Sequence, residues 1–198
     1  MIFTGVGAGL AAYLLYQKQK QPPKRYLAIS LGGTNARVCI LQKNEYLKAY
    51  TLMSPLHETE TKTPTDFLNF IAENFKPEDF DEIAIASFGP LSLKRDENYG
   101  QVILAPADQK KPWEKFSLAG ELSKIYKKHA SVETDVNAAA IAEFRLGNHG
   151  SINSLAYVTI GTGVGVGLVV NGKTVHGFLH PEGGHTWLAK KCQFVGGG

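Results

Sequence analysis

Two segments of the chain repeat one pattern, in which an apolar run, a glycine-containing turn and a second apolar run follow each other. Short runs of β-branched and other apolar residues that are bounded by glycine predict strands. The first unit carries Gly32 and Gly33 at its turn, and the second has glycine at every second position from 161 to 167. The flanking runs are residues 25–31 and 37–42 in the first unit, and 155–160 and 167–171 in the second. The chain is therefore expected to contain two glycine-turned hairpins.

When the units are aligned on Tyr26 and Tyr157, Gly32 falls on Gly163. Recurrence of one supersecondary unit is typical of a fold with two related lobes and a cleft between them. The alternative is a chance similarity between two hairpins, which are common elements.

Helices and further strands are expected between the two units, which makes the chain α/β. Thr63 and Pro64 have the sequence of a helix start, with a capping hydroxyl followed by proline at the first helical position. The expected elements are a turn at 43–44, strands over 46–52 and 82–88, and helices over 117–129 and 136–146. The buried stripe of the second helix is expected to consist of Leu118, Leu122, Ile125 and Tyr126.

The N-terminal segment differs in composition from the rest. Residues 2–16 carry no charge, four basic residues follow by position 25, and Pro22-Pro23 marks a linker. This order favours a cytosol-facing body, and it leaves open whether the segment is an uncleaved anchor, a surface helix or a cleaved targeting segment. We expect three regions: 1–24 as this segment and linker, 25–150 as an N-terminal lobe, and 151–198 as the start of a C-terminal lobe.

Charge and cysteine content exclude other classes of protein. The net charge is +3 and the basic residues are scattered, so no nucleic-acid partner is indicated. Two cysteines, Cys39 and Cys192, are too few for a disulfide scaffold, which favours a reducing, cytoplasmic compartment.

The two glycine turns are candidate phosphate clamps. Backbone N–H groups hold phosphate oxygens only where side chains leave room, and a threonine hydroxyl adds a further donor. The residues concerned are Gly32, Gly33 and Thr34 in the first turn, and Gly161, Thr162 and Gly163 in the second.

Two other nucleotide-binding motifs are excluded. The second turn never has the spacing of a dinucleotide-binding G-x-G-x-x-G loop, and no helix is expected after it. Residues 167–174 match the letters of a P-loop, but their middle is an apolar strand. Asn171-Gly172 within them predicts a hairpin turn instead.

Asp135 precedes an alanine-rich helix start and has two interpretations. An aspartate at this point commonly caps the helix. Alternatively its carboxylate faces the cleft and accepts the proton of an alcohol that attacks a phosphate.

A loop at residues 180–185 combines Glu182 with His180 and His185 around a proline and two glycines. Several hydrogen-bonding groups beside a glycine clamp favour binding of a polyhydroxylated ligand, whereas an ordinary surface loop is the alternative.

In their order along the chain, five motifs resemble the ROK sugar kinases, and their fructokinase branch in particular. They are Leu31-Gly-Gly-Thr34, Ser87-Phe-Gly-Pro90, Thr134-Asp-Val-Asn137, Gly161-Thr-Gly163 and Pro181-Glu-x-Gly-His185. The resemblance implies an actin/hexokinase-like (ASKHA, ribonuclease H-like) fold of two lobes. It also implies ATP with Mg²⁺ as cofactors and a hexose, above all fructose, as the substrate to be phosphorylated.

The resemblance also implies the role of each matching residue. Asp135 matches the general base, and Thr162 matches a threonine that binds the ATP phosphates. The matches to the sugar site are Gly89, Pro90, Thr134, Asn137, Glu182 and His185.

Several departures from the family pattern bear on activity. His185 matches a zinc ligand, but the Cys/His cluster that supplies the other ligands is missing, and Cys192 is too near to replace it. Ser30 stands where the family has an acidic residue, and Asn35 where it usually has lysine. The chain reaches Gly198 before the helices and strands that close the second lobe, so that lobe is expected to be incomplete.

Two other functions therefore stay open beside the kinase: a catalytically impaired sugar-binding or interaction protein, and a membrane-tethered scaffold. A homodimer is compatible with the sequence.

Overall fold

The computed structural model describes residues 23–44, 49–104, 108–161, 163–177 and 181–185. The expected anchor at residues 2–16 lies outside these ranges, as do Thr162, His180 and Cys192. Within the described ranges, none of the helices combines the length and apolar character needed to cross a bilayer.

The N-terminal part is a mixed six-stranded sheet in which β3, β2, β1, β5 and β6 follow each other, with β4 also paired to β2. The pairs of β1 with β5 and of β5 with β6 are parallel, whereas the others are antiparallel. The strands are β1 (Arg25–Leu31), β2 (Asn35–Asn44), β3 (Ala49–Leu52), β4 (His57–Glu60), β5 (Glu82–Ser87) and β6 (Ala130–Thr134).

The outer edge of β2 carries two short strands, one after the other. Between them, the backbone N–H of Ile40 donates to the hydroxyl of Ser54 at 2.8 Å, just before Pro55, which has no N–H of its own to add to a ladder. Neither β4 nor the full length of β2 was predicted. The turn predicted at Lys43 and Asn44 is wrong, because both residues still pair with β3.

Three helices follow from the sequence largely as predicted: α1 (Pro64–Asn74), α2 (Leu118–Tyr126) and α3 (Asp135–Leu146). Thr63 caps α1 by accepting from the backbone N–H of Asp66, and Ser117 caps α2 by accepting from that of Gly120. α2 ends three residues earlier than predicted, since Lys127 adopts the left-handed conformation with φ of 54°.

The core lies between the first sheet and the apolar faces of α1 and α2. Its largest buried side chain is Trp113, whose ring contacts those of Phe67, Phe88 and Phe116. The Trp113 indole N–H donates to the carbonyl of Lys62 at 3.0 Å, which satisfies the one polar atom of this side chain. Ile125 was placed in the core stripe but is 53% exposed, because the buried face of α2 also includes Ala119 and is therefore turned away from Ile125.

The second sheet is an antiparallel meander of β7 (Ser154–Ile160), β8 (Val164–Val170) and β9 (Lys173–Thr174). β8 begins three residues earlier than predicted. The β8–β9 turn confirms the hairpin expected at Asn171-Gly172, where φ is 50° and 73°. Among the described residues after this turn the only helical segment is the 3₁₀ turn Gly183–His185.

The two glycine hairpins correspond, but not in the predicted alignment. In the first, the Gly32 N–H donates to the Asn35 carbonyl, and in the second the Gly161 N–H donates to the Gly163 carbonyl. Gly32 and Gly161 are each the first residue after their strand, β1 and β7, so these two glycines correspond, and the alignment on the two tyrosines is wrong by two residues.

Close backbone contact joins the second sheet to α3. A Cβ added to Gly167 would lie 2.0 Å from the carbonyl oxygen of Val136, and one added to Gly165 would lie 2.6 Å from a methyl of the same valine. Only glycine allows a strand to approach the first turn of a helix this closely.

Gly167→Ala is expected to destabilise the fold by about 1–3 kcal/mol or more, because the new methyl group meets rigid backbone. Gly161→Ala is the matched control, since no heavy atom of the described residues lies within 4 Å of its added Cβ. Urea unfolding of the three proteins measures the difference. Equal midpoints would show that β8 does not lie against α3 in this way.

Candidate functional site

Three of the sequence motifs meet at one edge of the first sheet. In the parallel ladders Leu31 is paired with Ser87, and Ser87 is paired with Thr134, so β1, β5 and β6 end side by side. The residues after each strand end are Gly32 to Thr34, Phe88 to Pro90, and Asp135. The parallel register thus gathers a glycine turn, a proline turn and a carboxylate at the edge where open α/β sheets bind ligands.

The first glycine turn leaves room for a ligand. The carbonyl of Thr34 accepts from the backbone N–H of Thr61 at 2.8 Å, which ties the turn to the chain after β4. The space beside Gly33 is open, with no heavy atom of the described residues within 4 Å of an added Cβ. A Cβ on Gly32, by contrast, would lie 2.9 Å from the Asn35 carbonyl, so the turn needs glycine there.

A lysine near this turn was missed by sequence reasoning. The ammonium group of Lys110 donates to the carbonyl of Thr61, the residue that is bonded to Thr34. Burial lowers the pKa of Lys110. Lys110 is one of the basic residues scattered along the sequence, and only tertiary packing shows that it lies beside the turn.

The second glycine turn, between β7 and β8, has a similar form. Both Gly161 and Gly163 have open space around an added Cβ, again counting the described residues. Thr162, the expected phosphate ligand of this turn, lies outside the described residues, so its role stays a prediction.

The start of α3 shows which residue caps this helix. Thr134 is the residue that caps the helix, and its hydroxyl accepts from the backbone N–H of Asn137 at 3.3 Å. Asp135 is the first helical residue and is half-buried, and its Oδ1 accepts from the backbone N–H of Val136 at 2.8 Å. The cap is therefore supplied by Thr134, and the role of the Asp135 carboxylate as a base stays a prediction.

The proline turn after β5 lies against the predicted sugar loop. A Cβ on Gly89 would lie 3.3 Å from Oε1 of Glu182, although 93 positions separate the two residues in the chain. Glu182 itself has φ of 47°, and its carbonyl accepts from the backbone N–H of His185 at 2.9 Å. Gly184 packs directly on β8, where an added Cβ would be 1.7 Å from the Val164 carbonyl.

His185 lies at the end of this loop with 81% of its side chain exposed, and its Nδ1 is 3.9 Å from Oε2 of Glu182. Within the ranges that the structure describes, no three His, Cys, Asp or Glu residues are grouped so as to hold a metal ion. The zinc-ligand role of His185 stays a prediction.

Asn137 is fully buried and has its amide engaged on both sides. Its Oδ1 accepts from the backbone N–H of Leu168 at 3.1 Å, and its Nδ2 donates to the carbonyl of Val175 at 3.1 Å. The amide thus joins α3 to the second sheet. Contacts of Asn137 and of the buried Thr134 with a sugar stay predictions.

A polar network around Glu133 was also missed. Its Oε2 lies 2.7 Å from Nε2 of His176 and 3.0 Å from the hydroxyl of Thr174. Glu133 stands in the polar cluster before α3, which is a signal in the sequence, but nothing there links it to residues more than forty positions away.

Comparison with known proteins gives a consistent result. The sequence profile of the ROK family matches residues 26–197. A fructokinase of Zymomonas mobilis is 32% identical over 174 residues, which cover 84% of this chain and 54% of that protein. The chain spans about half the length of the curated relatives that it matches.

Solved structures agree on the fold. A ROK hexokinase from Thermus thermophilus has a TM-score of 0.63 at 24% identity, covering 83% of this chain and 54% of that one. A ROK-family glucokinase from Streptomyces griseus, solved with glucose and AMPPNP, has a TM-score of 0.61 at 22% identity, covering 79% and 47%. The actin/hexokinase-like fold is confirmed, and the described residues include one three-stranded sheet of its second lobe.

Thr134→Val is expected to lower the free energy of unfolding by about 1–2 kcal/mol, since it removes the capping hydroxyl and keeps the side-chain shape. Asp135→Asn is expected to cost less than about 1 kcal/mol, because it removes only a charge at the helix N-terminus. Urea unfolding of both variants, with Thr134→Ser as the control that keeps the hydroxyl, tests this order. Equal stability of Thr134→Val and Thr134→Ser would show that the Thr134 hydroxyl does not cap α3.

Proposed function

Because the chain belongs to the ROK family, we propose that it carries the sugar- and phosphate-binding part of an ATP-dependent hexose kinase, with Asp135 as the general base. The observation that supports this most is the common end of β1, β5 and β6, where the glycine turn, the proline turn and Asp135 are neighbours. A phosphoryl transfer needs these groups within one small space, since most of its catalysis is positioning.

Fructose is the proposed hexose, and fructose 6-phosphate the product. Three curated relatives that are 32–34% identical over at least 84% of this chain are named as fructokinases. A glucokinase of Pyrobaculum calidifontis is 32% identical over 75% of the chain, so the hexose class has broader support than the individual sugar.

Asp135 is proposed to accept the proton of the sugar hydroxyl as its oxygen attacks the phosphoryl group. The carboxylate is at the first turn of α3, where the helix dipole stabilises negative charge. Glu182 and the Gly89-Pro90 turn are proposed to hold other sugar hydroxyls, since the Glu182 carboxylate already lies at the proline turn. His185 would add a donor or acceptor from the end of the same loop.

Bound ATP with Mg²⁺ would supply the phosphoryl group. The open space beside Gly33, Gly161 and Gly163 fits phosphate oxygens, which backbone N–H groups bind where side chains do not intrude. Gly32 and Thr34 complete the first of these turns. The residues of the chain thus fit the triphosphate better than they fit a metal held by protein ligands alone.

A second candidate is a protein that binds a hexose without phosphorylating it. Ser30 favours it, because this exposed residue of β1 stands where the resemblance calls for an acidic side chain that organises metal and phosphate. The two functions share the sugar site and differ in turnover. The anchor at 2–16, a cytoplasmic location and a homodimer remain proposals from the sequence.

Hexose is expected to stabilise the chain by roughly 2.7 kcal/mol at a hundredfold excess over the dissociation constant. Glu182→Gln is expected to shrink this effect, because it replaces the carboxylate at the proline turn by a neutral amide of the same size. Thermal shift with millimolar fructose, glucose, mannose and N-acetylmannosamine measures it, and Glu60→Gln on the exposed edge strand is the control. Absence of any shift in the unmodified chain would contradict the sugar site.

Asp135→Asn is expected to lower sugar phosphorylation by roughly 10²–10⁴-fold, as loss of a general base does. Hexose binding should persist, since asparagine still hydrogen-bonds a hydroxyl. A coupled assay for ADP release, with melting curves on the same samples, separates catalysis from folding. Turnover within a few-fold of the unmodified protein would refute the role of Asp135, and hexose binding without turnover in the unmodified chain would favour the second candidate.

A further inference from the structure

The carboxylate of Glu133 joins two parts of the molecule. Its Oε1 accepts from the backbone N–H of Thr134 at 2.9 Å and faces the amide of Asn137 at 3.4 Å. Its Oε2 lies 2.7 Å from Nε2 of His176 and 3.0 Å from the Thr174 hydroxyl. One oxygen thus bonds to groups at the β6–α3 junction, and the other bonds to residues at and just after β9.

The chemistry of the carboxylate fixes the direction of these bonds. An ionised carboxylate only accepts hydrogen bonds, so the proton of the His176 ring is on Nε2 and the Thr174 hydroxyl donates. With 23% of its side chain exposed, Glu133 is screened from most solvent, which strengthens both contacts.

The hydrogen bonds of Glu133 lie between the two parts of the proposed active site. Glu133 is two residues before Asp135, the proposed base. His176 is six residues before Glu182, the proposed sugar ligand. The Glu133–His176 contact therefore connects the strand that ends at the base with the segment that leads into the sugar loop.

We infer that His176 is a positioning residue, which holds the sugar loop in register with Asp135 through its hydrogen bond to Glu133. The inference deepens the proposed function and rests on it, since it assumes a hexose between Glu182 and Asp135. Thr174 assists by donating to the same carboxylate oxygen.

The chain offers a matched control at the other end of the same helix. His149 and Glu143 form a hydrogen-bonding contact with the same 2.7 Å separation, and both side chains are at least 37% exposed. This pair joins the C-terminal turn of α3 to the loop after it and touches neither the junction at Asp135 nor the sugar loop. Comparing variants of the two pairs separates the effect of losing any His–Glu contact from the effect of losing the His176–Glu133 contact.

Fructose affinity of the full chain is measured by titration calorimetry at a temperature where melting curves show every variant folded. His176→Ala is expected to weaken binding by about tenfold, the effect of losing one charge-assisted hydrogen bond. His176→Gln, whose amide still donates to Glu133, is expected to recover most of this loss. His149→Ala is expected to bind as the unmodified chain does.

A merely structural role would lower the melting temperature of His176→Ala and leave the affinity of the folded protein unchanged, and that result would overturn the inference. So would equal losses in His176→Ala and His149→Ala, or a His176→Gln variant as weak as His176→Ala. If His176→Ala does not fold, Thr174→Val decides instead, since it removes one donor to the same oxygen at constant shape and is expected to weaken binding about threefold.

Failure of the inference is distinct from failure of the proposed function. If the unmodified chain binds none of the tested hexoses, the proposed function is refuted and the inference falls with it. If the unmodified chain binds fructose and His176→Ala binds it equally well, only the inference is refuted.

Discussion

The buried amide of Asn137 is the interaction on which the arrangement of the two sheets depends. Its oxygen and its nitrogen bond to backbone groups on either side of the β8–β9 hairpin, at Leu168 and Val175. A fully buried amide that loses one such partner leaves a polar group unpaired, at a cost of about 1–3 kcal/mol. α3 and the second sheet are therefore held in one relative position, and the loop that carries Glu182 follows from the strand so placed.

Glycine makes this contact possible. Gly165 and Gly167 let β8 lie on Val136 at the first turn of α3, and Gly184 lets the sugar loop lie on β8 in turn. Gly167 and Gly184 bring backbone against backbone, and Gly165 brings β8 against the Val136 side chain, so a single added methyl group would push the layers apart. The alternate glycines of the second unit thus have two uses: those at the turn leave room for a ligand, and those in the strand allow packing.

Much of the fold was predictable from local patterns, and the failures have identifiable causes. The start of α1 at Thr63 and Pro64 was predicted because capping is a local interaction. β4 was missed because its sequence, His-Glu-Thr-Glu, has no apolar alternation and becomes a strand by pairing with the open edge of β2. The start of β8 was placed too late, since its glycines resemble a turn until α3 is seen against them.

The sequence by itself determined which family the chain belongs to and which residues are candidates for its chemistry, because motifs such as Leu31-Gly-Gly-Thr34 and Thr134-Asp-Val-Asn137 lie in short, ordered stretches. It also showed Asp135 at the start of a helix. Tertiary structure decided that Thr134, not Asp135, caps that helix, that Glu182 lies at the Gly89-Pro90 turn, and that Glu133 pairs with His176. The last two contacts join residues far apart in the chain, and only strand register and backbone packing bring such residues together.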